Sequence, residues 1–157
     1  MAIHKIQIND FISEDYELIA IHSSLEDYKL AYAINSILDI RLFKNESNIE
    51  IAIPEGKSAF GNYIFDDEKS DVQWRLIDNK TTINTAKKKT TQLFDEVDIT
   101  VFLLPEYKKA DYLLKIENID YEFDEEDMID KILSIKNVTT AYTIETTNLK
   151  SKNNLIF

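Results

Sequence analysis

Cysteine is absent from this 157-residue chain, which excludes disulfide frameworks, thiolate metal sites and cysteine nucleophiles together. Glycine and proline number two each. Gly56 and Gly61 cannot build a glycine-rich phosphate cradle, and no Gly/Ser-rich or Pro-rich linker divides the chain, so one domain over residues 1–157 is expected. The two histidines, His4 and His22, are too few for a metal cluster, and no His-Glu-x-x-His or Gly-x-Ser-x-Gly pattern accompanies them. No cofactor is implied. Long apolar runs are missing too. The longest tract, around Val101-Phe102-Leu103-Leu104, is strand-sized and stops at Pro105, short of the ~18 residues a membrane span requires. Residues 1–10 lack the apolar core and cleavage site of a secretory signal, which predicts a cytoplasmic protein.

What the chain does contain is enough apolar material for one core, 44% hydrophobic and 11% aromatic residues, and a strong acidic excess with net charge −11. A negative field repels phosphate backbones, so nucleic acid is a poor partner and a basic protein a better one. The competing explanation of the acidity is solubility alone.

Apolar spacing predicts the elements. Residues 15–22 read as a strand with apolar side chains on both faces, hence central in a sheet. Ser23 and Glu26 have capping-box spacing for a helix running to Leu38, with Leu30, Ile34, Ile37 and Leu38 as its buried stripe and Tyr28 and Ala31 beside it. A strand follows at 40–43. Period-two runs then predict strands at 49–53, 60–65, 72–77, 98–104 and 111–116, with an exposed polar loop over 78–91. A second helix starts from Asp124 as N-cap, with Phe123 and Met128 placed as a hydrophobic staple, and a strand follows at 138–146. The expected fold is α+β: a mostly antiparallel sheet with two helices, and β-α-β units at both ends of a central β-meander. Trp74 at mid-strand reads as core, and the apolar tail Leu155-Ile156-Phe157 as a docking segment.

Two groups of residues are candidate sites. In the first, Leu104 and Pro105 end a strand, Glu106 follows, and Asp111-Tyr112 opens the next strand, so two carboxylates and a phenol stand near one strand exit. Such a pair does acid/base work only where its environments separate the two pKa values; otherwise these residues shape a turn and a core. The second is the acid run Asp120, Glu122, Asp124, Glu125, Glu126, Asp127 and Asp130. It lacks EF-hand spacing and complements a helix N-terminus, leaving Asp124, Glu125, Glu126, Asp127 and Asp130 as candidates for a basic protein partner. Lys87-Lys88-Lys89 reads as a solvated loop or a phosphate contact, and Asp66, Asp67, Glu68 and Asp71 as a solvated turn.

The segment Leu104-Pro105-Glu106-Tyr107-Lys108-Lys109-Ala110-Asp111-Tyr112 resembles the motif of the IPExxxVDY family of bacterial proteins, with Leu104 in place of Ile and Ala110 in place of Val. Residues 26–35 also look like that family's first helix. The resemblance spans the chain, implies a cytoplasmic setting and brings no activity with it. The reading that follows is a small non-enzymatic interaction module. The alternative is a ligand-binding protein or enzyme with a site around Glu106, Asp111 and Tyr112.

Overall fold

A computed structural model describes residues 16–88, 94–120 and 122–157. In chain order the elements are β1 (Tyr16–Ser23), α1 (Asp27–Leu38), β2 (Phe43–Lys44), β3 (Ile49–Ile53), β4 (Gly56–Phe60), β5 (Asn62–Asp67), β6 (Val72–Asp78), β7 (Lys80–Lys88) and β8 (Phe94–Phe102). A short 3-10 helix (Pro105–Tyr107), β9 (Tyr112–Glu117), α2 (Glu125–Leu133), β10 (Val138–Thr143) and a second 3-10 helix (Lys152–Leu155) complete them. The fold is α+β. Six strands form one sheet in the order β10-β1-β9-β6-β5-β2, and every neighbouring pair is antiparallel. β3-β4 and β7-β8 are separate two-stranded ribbons.

The β-α-β units follow from strand directions. β9 and β10 both run antiparallel to β1, so they are parallel to each other, joined through α2 with β1 between them. β1 and β2 also point the same way, joined through α1 across β9, β6 and β5. β5, β6 and β9 form the meander, from which the β7-β8 ribbon departs between β6 and β9.

β1 occupies the interior position its two apolar faces predict, and strand alternation divides the core into two layers. Ile19 and Ile21 pack with Leu30 and Ile34 of α1, Ile132 of α2 and Leu76, Leu114 and Ile116. On the opposite face Leu18 and Ala20 join Phe60, Ile77, Leu103, Leu104 and Leu113. Each such fully buried aliphatic side chain is worth about 1.5–3 kcal/mol. Trp74 packs partly buried against the helical layer. Asp124 caps α2 through a 3.0 Å bond from the Asp127 N–H, and Phe123 and Met128 both join the same core, as the staple spacing predicts.

Several expectations are corrected. Ser23 does not cap α1: it ends β1, its hydroxyl donating to the Asn137 carbonyl at 2.9 Å and accepting from the Leu25 N–H at 3.1 Å. Helix α1 therefore starts only after Glu26, whose side chain makes no cap bond. Ile37, assigned to the buried stripe, is 39% exposed, and Tyr28 is 55% exposed. The strand at 40–43 contracts to Phe43–Lys44, because the Asn35 carboxamide takes both the N–H and the carbonyl of Leu42, at 2.7 and 2.9 Å. The run 60–65 divides at Gly61 between β4 and β5. The polar stretch after Asp78 is strand β7, paired with β8 from Lys80↔Phe102 to Lys88↔Phe94; a strand with polar residues on both faces carries no apolar alternation to read. Lys89 lies outside the described residues, as do the side chains of Lys87 and Lys88. The final strand stops at Thr143. Among the described residues no helix is long and apolar enough to cross a membrane.

Candidate functional site

The turn at residues 104–112 is built around Asn79, which is fully buried between β6 and β7. Its carboxamide nitrogen donates to the carbonyls of Tyr107 and Ala110, both at 2.9 Å, and its Oδ1 accepts from the Leu104 N–H at 2.9 Å. Its backbone joins in: the N–H donates to the Asp111 carbonyl at 3.0 Å, and the carbonyl accepts from the Leu103 N–H at 2.8 Å. A buried amide that saturates its donors in this way determines the path of the chain it binds. Sequence reading missed it, since Asn79 stood in a stretch assigned to a loop.

The motif residues radiate from this turn to separate segments. Leu104 is fully buried in the core opposite the helices, and Pro105 opens the 3-10 helix. Glu106 reaches the C-terminal region, its carboxylate accepting from the N–H groups of Lys150 at 2.8 Å and Ser151 at 3.1 Å. Asp111 turns the other way, accepting from the Ser23 N–H at 2.9 Å and pairing with Lys80 at 2.7 Å. The Tyr112 hydroxyl donates to the Leu25 carbonyl at 2.6 Å. Glu106 and Asp111 thus serve different segments, and backbone groups or Lys80 engage each of these oxygens.

A more unusual electrostatic arrangement lies beside Tyr112. Asp78, the last residue of β6, stands directly across the sheet from it. Burial pushes the Asp78 carboxyl up to about 6; the neighbouring Asp27 charge pushes the same way, while Lys44 and the Gly61 N–H pull it down. Lys44 itself pairs with Asp27 at 3.2 Å and stands 5.0 Å from the centre of the Tyr63 ring. Burial, and then the Asp78 charge, also push the Tyr112 phenol up. Gly61 is what admits this group: a Cβ there would lie 2.7 Å from Lys44 Nζ and 2.8 Å from Asp78 Oδ2. A carboxyl near neutral pKa beside an ammonium and two phenols is equipped to exchange a proton. Its members come from α1, β2, β5, β6 and β9, a convergence that spacing along the chain does not reveal.

The acid run is partly engaged by its own helix. Asp124 caps α2, Asp127 pairs with Lys131 at 2.7 Å, and Glu125 accepts a hydrogen bond from the Thr143 hydroxyl. Glu126 and Asp130 are exposed with no side-chain partner among the described residues, where no group of three or more His, Asp or Glu is arranged to hold a metal ion. Alongside, α1 touches α2 and turns outward Tyr28 and Tyr32, one helical turn apart and 55% and 77% exposed. On the other side of the sheet, His22 Nε2 lies 3.1 Å from the Tyr142 hydroxyl, a pairing distant in sequence that His22 alone did not suggest. Compared with known proteins, this chain is matched by no family model, no curated protein and no solved structure.

Proposed function

We propose that this chain is a non-enzymatic interaction module that docks a basic protein partner on its helical face, in a cytoplasmic setting. The observation that carries the reading is the exposure of Tyr28 and Tyr32 on one face of α1. Tyrosine supplies large contact area at little entropic cost and is enriched among the residues that dominate interfaces. Glu126 and Asp130 on α2 add unpaired negative charge to the same layer, which favours encounter with a positive surface. Kinship with IPExxxVDY proteins belongs to this proposal and rests on residues 104–112 and 26–35. Reversing charge with Glu126→Lys and Asp130→Lys is expected to abolish capture of the partner at low salt. Undiminished capture by that double variant contradicts the acidic half of the reading.

A second reading keeps the neighbourhood of Tyr112 and moves its centre from Glu106 and Asp111 to Asp78, on the strength of that carboxyl's near-neutral pKa. It predicts that Asp78→Asn abolishes binding or turnover of a small molecule and spares protein capture.

A further inference from the structure

We propose that the cleft between β3 and the C-terminal segment binds a small monocarboxylate with an apolar body, its carboxylate held by the Arg75 guanidinium. The site lies on the sheet face opposite the helices and is independent of the partner-docking surface.

Arg75 lies in the middle of β6, flanked across the sheet by Ile64 of β5 and Lys115 of β9. Two cations side by side on neighbouring strands repel each other, and both are withdrawn from water. Lys115 is compensated: it pairs with Glu117 at 2.5 Å and donates to the Leu155 carbonyl at 3.1 Å. Arg75 is not. Among the described residues its five N–H donors make one hydrogen bond, to Asn62 Oδ1 at a long 3.4 Å, and the Phe157 ring lies 4.5 Å from the guanidinium carbon. Asp66 and Glu117 favour its charge only from beyond ion-pair distance, and no carboxylate among the described residues comes closer. Desolvation is the dominant influence on the group and pushes its pKa down. A half-buried guanidinium with unmatched donors is completed by a planar anion that engages two of them at once.

The cleft beside it has a volume of about 440 Å³, within the range of roughly 300–1,000 Å³ common for small-ligand sites. Ile51, Ile156 and Phe157 supply apolar wall. Asn48 and Asn153 also line it, and neither carboxamide has a side-chain partner among the described residues. Glu50 stands on the rim, paired with Lys57 at 3.7 Å, and with the net charge of −11 it disfavours a second negative group. That combination selects a single carboxylate over a phosphate ester or a nucleotide.

The test is calorimetric titration of the full chain with 4-phenylbutyrate, and with 4-phenylbutyramide as its uncharged counterpart. Saturable one-to-one binding of the acid is expected, with the amide at least about tenfold weaker because it lacks the charge-assisted bonds. Arg75→Gln is expected to weaken binding at least about tenfold. Should that variant fail to fold, Ala52→Trp decides the matter: it fills the cleft from an exposed position and leaves Arg75 in place. Absence of saturable acid binding, equal binding of acid and amide, or full retention of binding in Ala52→Trp overturns the proposal.

Discussion

The Asn79 carboxamide donates to the carbonyl of Ala110, 31 positions further along the chain, at 2.9 Å, with both residues fully buried. Through this bond and those to Tyr107 and Leu104, the β6-β7 junction determines the shape of the turn that carries Glu106 and Asp111.

Asn79→Ala is therefore expected to leave the Leu104 N–H and the Tyr107 and Ala110 carbonyls without that partner. The Tyr107 carbonyl still accepts from the Ala110 N–H at 3.0 Å, so two buried groups lose their partner. At about 1–3 kcal/mol for each, the total loss should be about 2 kcal/mol or more in urea denaturation. A loss below about 1 kcal/mol would mean that water or a shifted backbone replaces the amide.

The Glu106 carboxylate holds the backbone at Lys150 and Ser151 from an exposed position. Glu106→Ala is expected to cost about 1 kcal/mol and to expose the chain beyond Leu149 to limited proteolysis, with the sheet intact. Unchanged cleavage would show that the other anchors of the tail, the Asn154 bond to the Leu103 carbonyl and the buried Leu155, hold it without Glu106.

Asp78 gives a pH dependence whose sign follows from its raised pKa. The folded state binds this proton more tightly, with a pKa of about 6 against an ordinary 3.8. Its stabilising contribution is full below about pH 3.8 and is lost as pH rises through about 6, where the ionised carboxylate burdens the fold. Discounted for partial solvent screening, the burden is about 1–2 kcal/mol. Asp78→Asn should match the parent protein near pH 4 and exceed it by about that amount at pH 8 in urea denaturation. A difference independent of pH would contradict the assignment.

The neighbours of Asp78 move its titration in opposite directions. Lys44→Met removes a positive charge that lowers the pKa, so the midpoint should rise above 6; Asp27→Asn removes a negative one, so the midpoint should fall. Carboxyl NMR titration reads both, and a midpoint unmoved in either variant would place that side chain too far away to act.

Much of the fold was legible because its signals are local. Leu18 to Ile21 advertise a strand buried on both faces, and Asp124 with Phe123 and Met128 specifies a helix start within a few residues. What was not legible depends on contacts distant in sequence. Ser23 has the spacing of a cap, yet its hydroxyl bonds Asn137, 114 positions away. The 40–43 strand is shortened by the Asn35 side chain, and β7 gave no apolar period because Ile83 and Ala86 are the only apolar residues among its nine. At the candidate site, the sequence stood Glu106 and Asp111 near one strand exit but carried no information on which way each points, and the two carboxylates reach different segments. Gly61, Asn79 and Arg75 matter through the company they keep in space, and single residues in a sequence do not announce that.

The central claim, docking of a basic protein on the helical face, is tested most directly by quantitative affinity capture from native lysate with the parent chain and the Tyr28→Ala/Tyr32→Ala variant. Both tyrosines are exposed, so the variant should fold normally, with stability changed by no more than about 0.5 kcal/mol. A stoichiometric basic protein retained by the parent at low salt, released by added salt and lost from the variant is the predicted result. Equal retention by both chains, or no stoichiometric partner at low or moderate salt, would contradict it.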